Sequence, residues 1–387
     1  MFEIVDTQPQ EAVIKVIGVG GCGGNAVDHM IGAGVQGVEF ICANTDVQAL
    51  KRSQASIQLH LGTGITKGLG AGANPEIGRQ AALEDRERIA EMISGADMLF
   101  LTAGMGGGTG TGAAPVVAEI AKELGILTVA VVTKPFAFEG KRLRIAQEGM
   151  DALARHVDSL IVIPNEKLMQ VLGEDVSMLD AFKAANNVLH GAVAGIAEVI
   201  SRPGLVNVDF ADVRTVMSEM GMAMMGSAQA SGLDRAQIAA EQAVASPLLE
   251  DVNLAGARGV LVNITASMNL KMKEVHEVMN TIKGFTAEDA TVIVGTVIDE
   301  EMGENLRVTM VATGLGMPVA RTQPKPLPLT VVAGTGTDGV VPDVDFGELE
   351  VPTVIRTRSQ RNAAVEAMKQ SGLDQFDIPA FLRKQAD

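Results

Sequence analysis

A seven-residue run, Gly106-Gly107-Gly108-Thr109-Gly110-Thr111-Gly112, constrains the fold of this chain more than any other segment, and we call it the central glycine loop. It follows a short apolar stretch at residues 98–102 and leads into a helical stretch that begins at Ala113. Glycine loses more backbone entropy on folding than other residues, so five glycines in seven positions indicate that a ligand approaches the backbone closely. Free amides at the start of a helix favour a phosphate group. The run therefore predicts a phosphate-binding loop between a strand and a helix.

Short apolar runs alternate with helical stretches over residues 12–163. We predict strands at residues 13–19, 38–43, 98–102, 126–133 and 159–163. Nearly continuous apolar runs are typical of parallel strands that are covered on both faces. Ligands bind such sheets beyond the carboxyl ends of the strands. The pattern predicts a Rossmann-like, parallel-sheet α/β nucleotide-binding domain over residues 1–176.

A first glycine loop, at residues 18–25, follows the first predicted strand. It matches the dinucleotide fingerprint G-x-G-x-x-G at Gly18, Gly20 and Gly23, and Asp46 after the second strand suits a ribose-binding acid. By itself this loop is compatible with an NAD-dependent oxidoreductase, with other nucleotide-binding proteins and with a purely structural turn. A dinucleotide site has no evident need for the central glycine loop as well, and the sequence lacks the P-loop pattern G-x-x-x-x-G-K-[ST].

The rest of the chain divides into four predicted segments. Residues 177–202 predict one long buried helix that joins the two domains, because their apolar side chains recur at steps of four and three. These side chains are Met178, Phe182, Ala185, Leu189, Ala192, Ile196 and Val199. Residues 203–316 alternate helices and strands again and predict a smaller α/β domain. The proline-rich residues 317–372 predict a disordered linker, and residues 373–387 predict a peptide that folds on the groove of a partner.

Composition narrows the functional classes. The net charge is -16, and an acidic surface repels phosphate backbones, so we expect no nucleic-acid binding. The chain has neither an apolar run long enough to span a bilayer nor a signal-like start, and we expect a cytoplasmic protein that does not insert into membranes. The two cysteines, Cys22 and Cys42, are too few for a disulfide framework or a zinc site, so we predict no metal site built by the protein alone.

The central glycine loop after a strand is a signature of the tubulin/FtsZ GTPase family, which this chain resembles. Similar stretches lie at residues 44–46, 68–75, 164–165, 207–220 and 377–382, and the resemblance covers residues 12–316 and 373–387. It implies a tubulin-like fold and a protein that binds and hydrolyses GTP. It also implies head-to-tail polymerisation into filaments that form the cell-division ring.

The resemblance implies a set of nucleotide-binding residues in the loops and on the long helix. The diphosphate is expected between the two glycine loops, the terminal phosphate near residues 71–74, the ribose at Glu139, and guanine at Phe182, Asn186 and Asn165. The full set is Gly20, Gly21, Gly24, Asn25, Asn44, Ala71, Gly72, Ala73, Asn74, Gly104, Gly106, Gly107, Gly108, Thr109, Gly110, Thr133, Pro135, Glu139, Arg142, Asn165, Phe182 and Asn186. Glu139 is also compatible with a solvated loop acid, and Phe182 with a core side chain.

Two positions leave alternatives open. Family members often carry an arginine four residues after the ribose acid, and here that position is Leu143, flanked by Arg142 and Arg144. We prefer Arg142 as the nucleotide contact. On the long helix, Asn187 is the alternative to Asn186 as the residue that faces the base.

Asp209 and Asp212 lie three residues apart at the start of a predicted helix, a pattern that is equally typical of capping and first-turn charge. The resemblance implies catalysis instead. Together with Asn207, these acids are expected to meet the terminal phosphate held by the neighbouring subunit and, with Mg2+, to orient water for phosphoryl transfer. The GTPase site is then incomplete in one subunit and complete in a filament.

The resemblance also implies that residues 373–387 dock to membrane-tethering and regulatory division proteins at mid-cell; a frayed terminus is the alternative. The residues themselves leave three other functions open for the whole chain. These are an NAD-dependent oxidoreductase, a scaffold that binds nucleotide without hydrolysing it, and a monomeric switch GTPase.

Overall fold

The computed structural model describes residues 12–173, 176–202, 208–219, 221–249, 254–287 and 289–315. The chain divides into two units, Met1–Arg321 and Thr322–Asp387, and every described residue belongs to the first unit. The predicted linker and the predicted partner-binding peptide lie outside the described residues.

Strands and helices alternate along the described part of the chain. The strands are β1 (Ile14–Val19), β2 (Val38–Asn44), β3 (Ile57–His60), β4 (Met98–Gly104), β5 (Leu127–Lys134), β6 (Ser159–Pro164), β7 (Gly221–Ser231), β8 (Gly259–Ala266), β9 (Thr291–Ile298) and β10 (Asn305–Leu315). The helices are α1 (Gly20–Gly32), α2 (Val47–Leu50), α3 (Thr63–Thr66), α4 (Pro75–Glu84), α5 (Arg86–Ile93), α6 (Thr109–Glu123), α7 (Lys141–Leu153), α8 (Asn165–Leu172), α9 (Met178–Ser201), α10 (Phe210–Met217), α11 (Arg235–Val244) and α12 (Met272–Lys283).

All ten strands belong to one sheet, in the order β3-β2-β1-β4-β5-β6-β7-β10-β8-β9. The pairs from β3 to β7 are parallel, β10 pairs antiparallel with both β7 and β8, and β8 pairs parallel with β9. The predicted fold class, a tubulin-like α/β fold with a parallel sheet, is confirmed. The boundaries of the two predicted domains stay a prediction. The strand before α9, β6, pairs directly with the strand after it, β7, so the sheet does not divide at residues 177–202.

Two strands, β3 and β7, were not predicted. β3 has four residues, too few for a clear pattern. β7 has the sequence GMAMMGSAQAS, which lacks the β-branched and aromatic residues that favour strands. Its conformation comes from pairing, because it bonds to β10 along most of its length and to β6 at one end.

The long helix α9 is buried along most of its apolar stripe, as predicted. It begins where the Ser177 hydroxyl accepts a hydrogen bond from the amide of Asp180 at 3.1 Å. Leu189 and Ile196 are fully buried in a core that also contains Val129 of β5. The first two residues of the stripe are exceptions: Met178 and Phe182 are exposed, because the stripe begins before the helix reaches the core. No helix among the described residues is both long and apolar enough to cross a membrane.

Candidate nucleotide-binding site

A cavity of about 350 Å³ opens where β1, β4 and β5 end. Its wall consists of residues at or after the ends of β1, β4, β5 and β6, of Gly72 in the loop before α4, and of the N-terminal half of α9. These residues are Val19, Gly21, Cys22, Gly72, Gly104, Met105, Gly107, Gly108, Thr109, Gly110, Thr133, Pro135, Glu139, Arg142, Asn165, Phe182, Ala185 and Asn186. This is the edge at which parallel sheets bind ligands.

The two glycine loops contact each other backbone to backbone at this edge. A side chain at Gly20 would lie 2.9 Å from the amide nitrogen of Gly110, and a side chain at Gly110 would lie 2.5 Å from the carbonyl oxygen of Gly104. Gly20 and Gly106 also have φ angles of 76° and 97°, which strain any residue with a side chain. Gly20 is therefore needed to bring the two loops together, and Gly106 and Gly110 allow the central glycine loop to turn and pack.

Three other glycines of the wall, Gly21, Gly72 and Gly107, have open space where a side chain would project. A ligand can therefore touch the backbone at all three positions. Helices α1 and α6 begin in the same place, and neither has a side-chain cap on its first turn. Uncapped amides at two helix starts form a cradle that fits the phosphate groups of a nucleotide.

The threonines of the central glycine loop shape this cradle. The hydroxyl groups of Thr109 and Thr45 are hydrogen-bonded at 2.6 Å, which ties the loop to the end of β2. The hydroxyl of Thr111 accepts a hydrogen bond from the amide of Gly106 at 2.9 Å. Thr109 lines the cavity and Thr111 is buried, so of these two hydroxyl groups only that of Thr109 is placed at the cavity.

The loop at residues 71–74 leads into α4 as the sequence predicts. Asn74 Oδ1 accepts a hydrogen bond from the amide of Glu76 at 3.1 Å, and Pro75 is the first residue of the helix. The amide of Gly108 donates to the carbonyl oxygen of Gly72 at 2.9 Å, so this loop is joined to the central glycine loop. Gly72 reaches the cavity wall.

Glu139 and Arg142 form an ion pair on the cavity wall, with Oε2 and Nη1 2.8 Å apart. The other oxygen of Glu139 accepts a hydrogen bond from the amide of Phe136 at 3.0 Å. Arg144 points elsewhere, since it pairs with Glu148 at 3.2 Å and its side chain is 86% exposed. Of the two candidate arginines, only Arg142 lines the cavity.

Asn165, Phe182 and Asn186 also line the cavity. Asn165 is buried, and its Oδ1 atom has no hydrogen-bond partner. A buried polar atom without a partner is costly, so this oxygen fits the N–H edge of a bound base. The ring of Phe182 is half exposed and packs edge to face on Phe136 at 6.2 Å, which leaves a surface for stacking. Asn187 is directed away and bonds to His29.

Several predicted residues are absent from the wall: Gly20, Gly24, Asn25, Asn44, Ala71, Ala73, Asn74 and Gly106. Some of them hold the loops in place, as Gly20 and Asn74 do. Asn44 is buried, and its Oδ1 accepts a hydrogen bond from the amide of Asp46 at 3.2 Å.

Four wall residues were missed: Val19, Cys22, Met105 and Ala185. Each is the sequence neighbour of a predicted residue or falls between two of them, and that adjacency is the signal that would have found them. Cys22 lies 3.5 Å from the hydroxyl of Thr133. Burial raises the pKa of the Cys22 thiol, and the hydrogen bond to Thr133 opposes this effect.

The predicted catalytic acids lie at the other end of the sheet. Asp209 lines a second cavity with Val13, which precedes β1, and Asp97, which precedes β4. Asp209 and Asp212 are exposed, and neither carboxylate has a hydrogen bond or ion pair with another described residue. The Asp209 side chain therefore does not cap α10 among the described residues, which was the alternative to a catalytic role. Asn207 lies outside them.

The chain resembles known proteins over its full length. It is 61% identical to a protein of Pseudomonas aeruginosa named cell division protein FtsZ, with all of both chains covered, and 60% identical to the protein of that name from Coxiella burnetii, with 99% of each covered. Two family models match, the GTPase domain of the Tubulin/FtsZ family at residues 13–173 and the C-terminal domain of the FtsZ family at residues 221–316.

The chain belongs to the tubulin/FtsZ family. Among solved structures, it is similar to an empty FtsZ dimer of M. jannaschii, with a TM-score of 0.76 and 45% identity over 79% of this chain and 89% of that one. A GTPgS-bound CetZ2 protofilament of Haloferax volcanii has the same fold, with a TM-score of 0.66 and 20% identity over 78% of this chain and 93% of that one.

Membership of the FtsZ family makes this chain a guanine-nucleotide-binding GTPase of the cell-division machinery. The alternative of an NAD-dependent oxidoreductase is not supported. The cavity between the glycine loops is the candidate site for the nucleotide.

We expect Arg142→Ala to weaken GTP binding by about tenfold, because it removes the one cation among the described wall residues, and GTP is an anion. The side chain is 57% exposed, so solvent screening keeps the loss from being larger. Equilibrium titration with a fluorescent GTP measures the change, and Arg144→Ala is the matched control. A larger loss of GTP binding for Arg144→Ala than for Arg142→Ala would mean that Arg144, and not Arg142, contacts the nucleotide.

Proposed function

We propose that this protein polymerises head to tail into the filaments of the cell-division ring, and that each GTPase site is completed between two copies. The nucleotide cavity of one copy would receive Asp209 and Asp212 of the next. The observation that carries this proposal is the separation of the cavity and the acids at opposite ends of the sheet.

The separation is too large for a copy to use its own acids. β4 runs from Met98, next to the cavity of Asp209, to Gly104 in the nucleotide cavity, and its seven residues span about 20 Å. Helix α9 gives the same result, since Asn186 lines the nucleotide cavity and Ile200 lines the second one. Fourteen residues of α-helix separate these two positions, or about 21 Å.

The nucleotide cavity also lacks a suitable acid of its own. Glu139 is the one acidic residue among the described wall residues, and each of its oxygens already has a partner, Arg142 for Oε2 and the amide of Phe136 for Oε1. Asp209 and Asp212, in contrast, are exposed on the far surface. A contact between two different surfaces of the same chain is heterologous, and when it does not close into a ring it yields a filament. Hydrolysis is then coupled to assembly.

Each group has a distinct task in the proposed reaction. The amides of the two glycine loops hold the phosphates and neutralise charge as the terminal phosphoryl group is transferred. Asn165 and Asn186 bind the edge of the base, and Phe182 stacks on its face. The incoming carboxylates accept hydrogen bonds from the attacking water and orient it in line with the bond that breaks.

Mg2+ fits this arrangement. Proteins usually bind it through one or two carboxylates plus the phosphates of a substrate, and Asp209 and Asp212 are carboxylates without partners among the described residues. The ion would supply charge neutralisation at the terminal phosphate. We expect chelation of divalent cations to stop phosphate release and added Mg2+ to restore it. Full phosphate release in a chelator would exclude the ion from the reaction.

We expect Asp212→Ala to keep GTP binding and to lower phosphate release on the order of 100-fold, because the water loses the carboxylate that orients it. Asp234→Ala is the matched control, since Asp234 is another exposed acid at a helix start without a side-chain cap and should be dispensable. Turnover per subunit of the native chain should rise with protein concentration. Concentration-independent turnover at full rate would contradict the proposal.

A mixing experiment tests the sharing of the site directly. Gly107→Asp places a negative charge in the open space of the phosphate cradle and should abolish GTP binding while leaving Asp209 and Asp212 intact. Gly107→Asp and Asp212→Ala should each be inactive alone. In a mixture of the two, the Gly107→Asp chain supplies the carboxylate of Asp212 to the intact nucleotide cavity of the Asp212→Ala chain, so phosphate release should return. A mixture as inactive as its components would mean that the acids act within their own subunit.

We also propose that residues 373–387 bind membrane-tethering and regulatory division proteins and thereby hold the filaments in the cytoplasm at mid-cell. The proposal is supported by the apolar residues of this segment, among them Phe381 and Leu382, which follow a proline-rich stretch. Deleting residues 373–387 should leave GTP hydrolysis and sedimentation of filaments unchanged. The deletion should abolish partner binding and the mid-cell fluorescence of a tagged chain. Loss of GTP binding would instead contradict the proposal, because it would mean that residues 373–387 contribute to the nucleotide site.

A further inference from the structure

Helices α1 and α9 both line the nucleotide cavity. Gly21 and Cys22, at the start of α1, belong to the phosphate cradle, whereas Phe182 and Asn186 of α9 belong to the base end. The distance between the phosphate contacts and the base contacts therefore depends on how these two helices lie against each other.

Apolar packing holds the pair together, with Met30 of α1 and Leu189 of α9 buried in the same core. Contacts of this kind are not directional, so they fix the separation of two helices better than their rotation or sliding. A hydrogen bond is directional, since it weakens steeply away from linear geometry.

One side-chain hydrogen bond joins the two helices directly. His29 Nε2 donates to Asn187 Oδ1 at 2.7 Å. The ring of His29 also meets His190 edge to face, with centroids 6.1 Å apart. Burial, then the charges of His29 and Arg307, lower the pKa of His190, which keeps a neutral ring beside His29. His29 is thus held by two residues of α9 that lie three positions apart.

Asn187 directly follows Asn186, and successive residues of an α-helix point about 100° apart. Asn186 faces the cavity while Asn187 faces α1. Because the two residues are adjacent on one rigid helix, a contact that fixes Asn187 against α1 also fixes the direction in which Asn186 points. We propose that the His29–Asn187 hydrogen bond is a positioning contact that sets the base end of the cavity at the correct distance from the phosphate cradle.

The inference rests on the proposed nucleotide site, and a double-mutant cycle tests it. We expect His29→Ala and Asn187→Ala each to raise the Kd for fluorescent GTP by about fivefold in dilute full-length protein, the equivalent of about 1 kcal/mol. The double variant should bind no more weakly than either single variant, because both remove the same contact. His29→Gln, which keeps a donor on a long side chain, should recover part of the loss.

Two further readouts and a control variant separate positioning from general stability. The KM for GTP should rise with an unchanged kcat at saturating GTP. Inorganic triphosphate, which has no base, should compete for the site equally well in the native chain and the variants. His276→Ala, at an exposed histidine of α12, should change none of these quantities.

The outcomes are distinguishable. An unchanged Kd with a lower Tm, additive losses in the double variant, or equal weakening of inorganic triphosphate would each overturn the positioning role. Failure of the native chain itself to bind GTP would instead overturn the proposed function.

Discussion

Close contact between backbones at the carboxyl edge of the sheet is the constraint on which the nucleotide site depends. A methyl group at Gly112 would overlap the carbonyl oxygen of Pro75, and one at Gly78 would overlap the carbonyl oxygen of Gly108. The first glycine loop meets the central one in the same way, at Gly20 and Gly110. Three chain segments can share one small cradle because none of them carries a side chain at the points of contact.

A parallel sheet then gives the molecule two chemically different ends. The carboxyl ends of the strands bring together amides, a base-binding face and one ion pair, and the amino ends carry exposed carboxylates. Helix α9 runs along the sheet from one end to the other, and it contributes Asn186 to the first cavity and Ile200 to the second. The two ends of the molecule therefore differ, as they must in any contact that stacks copies in one direction.

Local patterns predict the elements whose information is local. The parallel strands on either side of the central glycine loop follow from short, nearly continuous apolar runs. The start of α4 follows from the asparagine and proline at residues 74 and 75. β7 could not be predicted in this way, since its small residues and methionines become a strand only by pairing with β10 and β6. The prediction that the start of α9 is buried was wrong for a similar reason, because periodicity does not tell where a helix leaves the core.

The sequence by itself determined the fold class, the glycine loops and the family, because a glycine-rich turn after a buried strand restricts the backbone wherever it occurs. Only the tertiary structure decided which side chains reach the cavity, such as Arg142 rather than Arg144 and Asn186 rather than Asn187. It also decided that Asp209 lies far from the nucleotide cavity of its own chain. The physical reason is that neighbours in sequence point in different directions on a helix, while the ends of a sheet are separated by the full length of its strands.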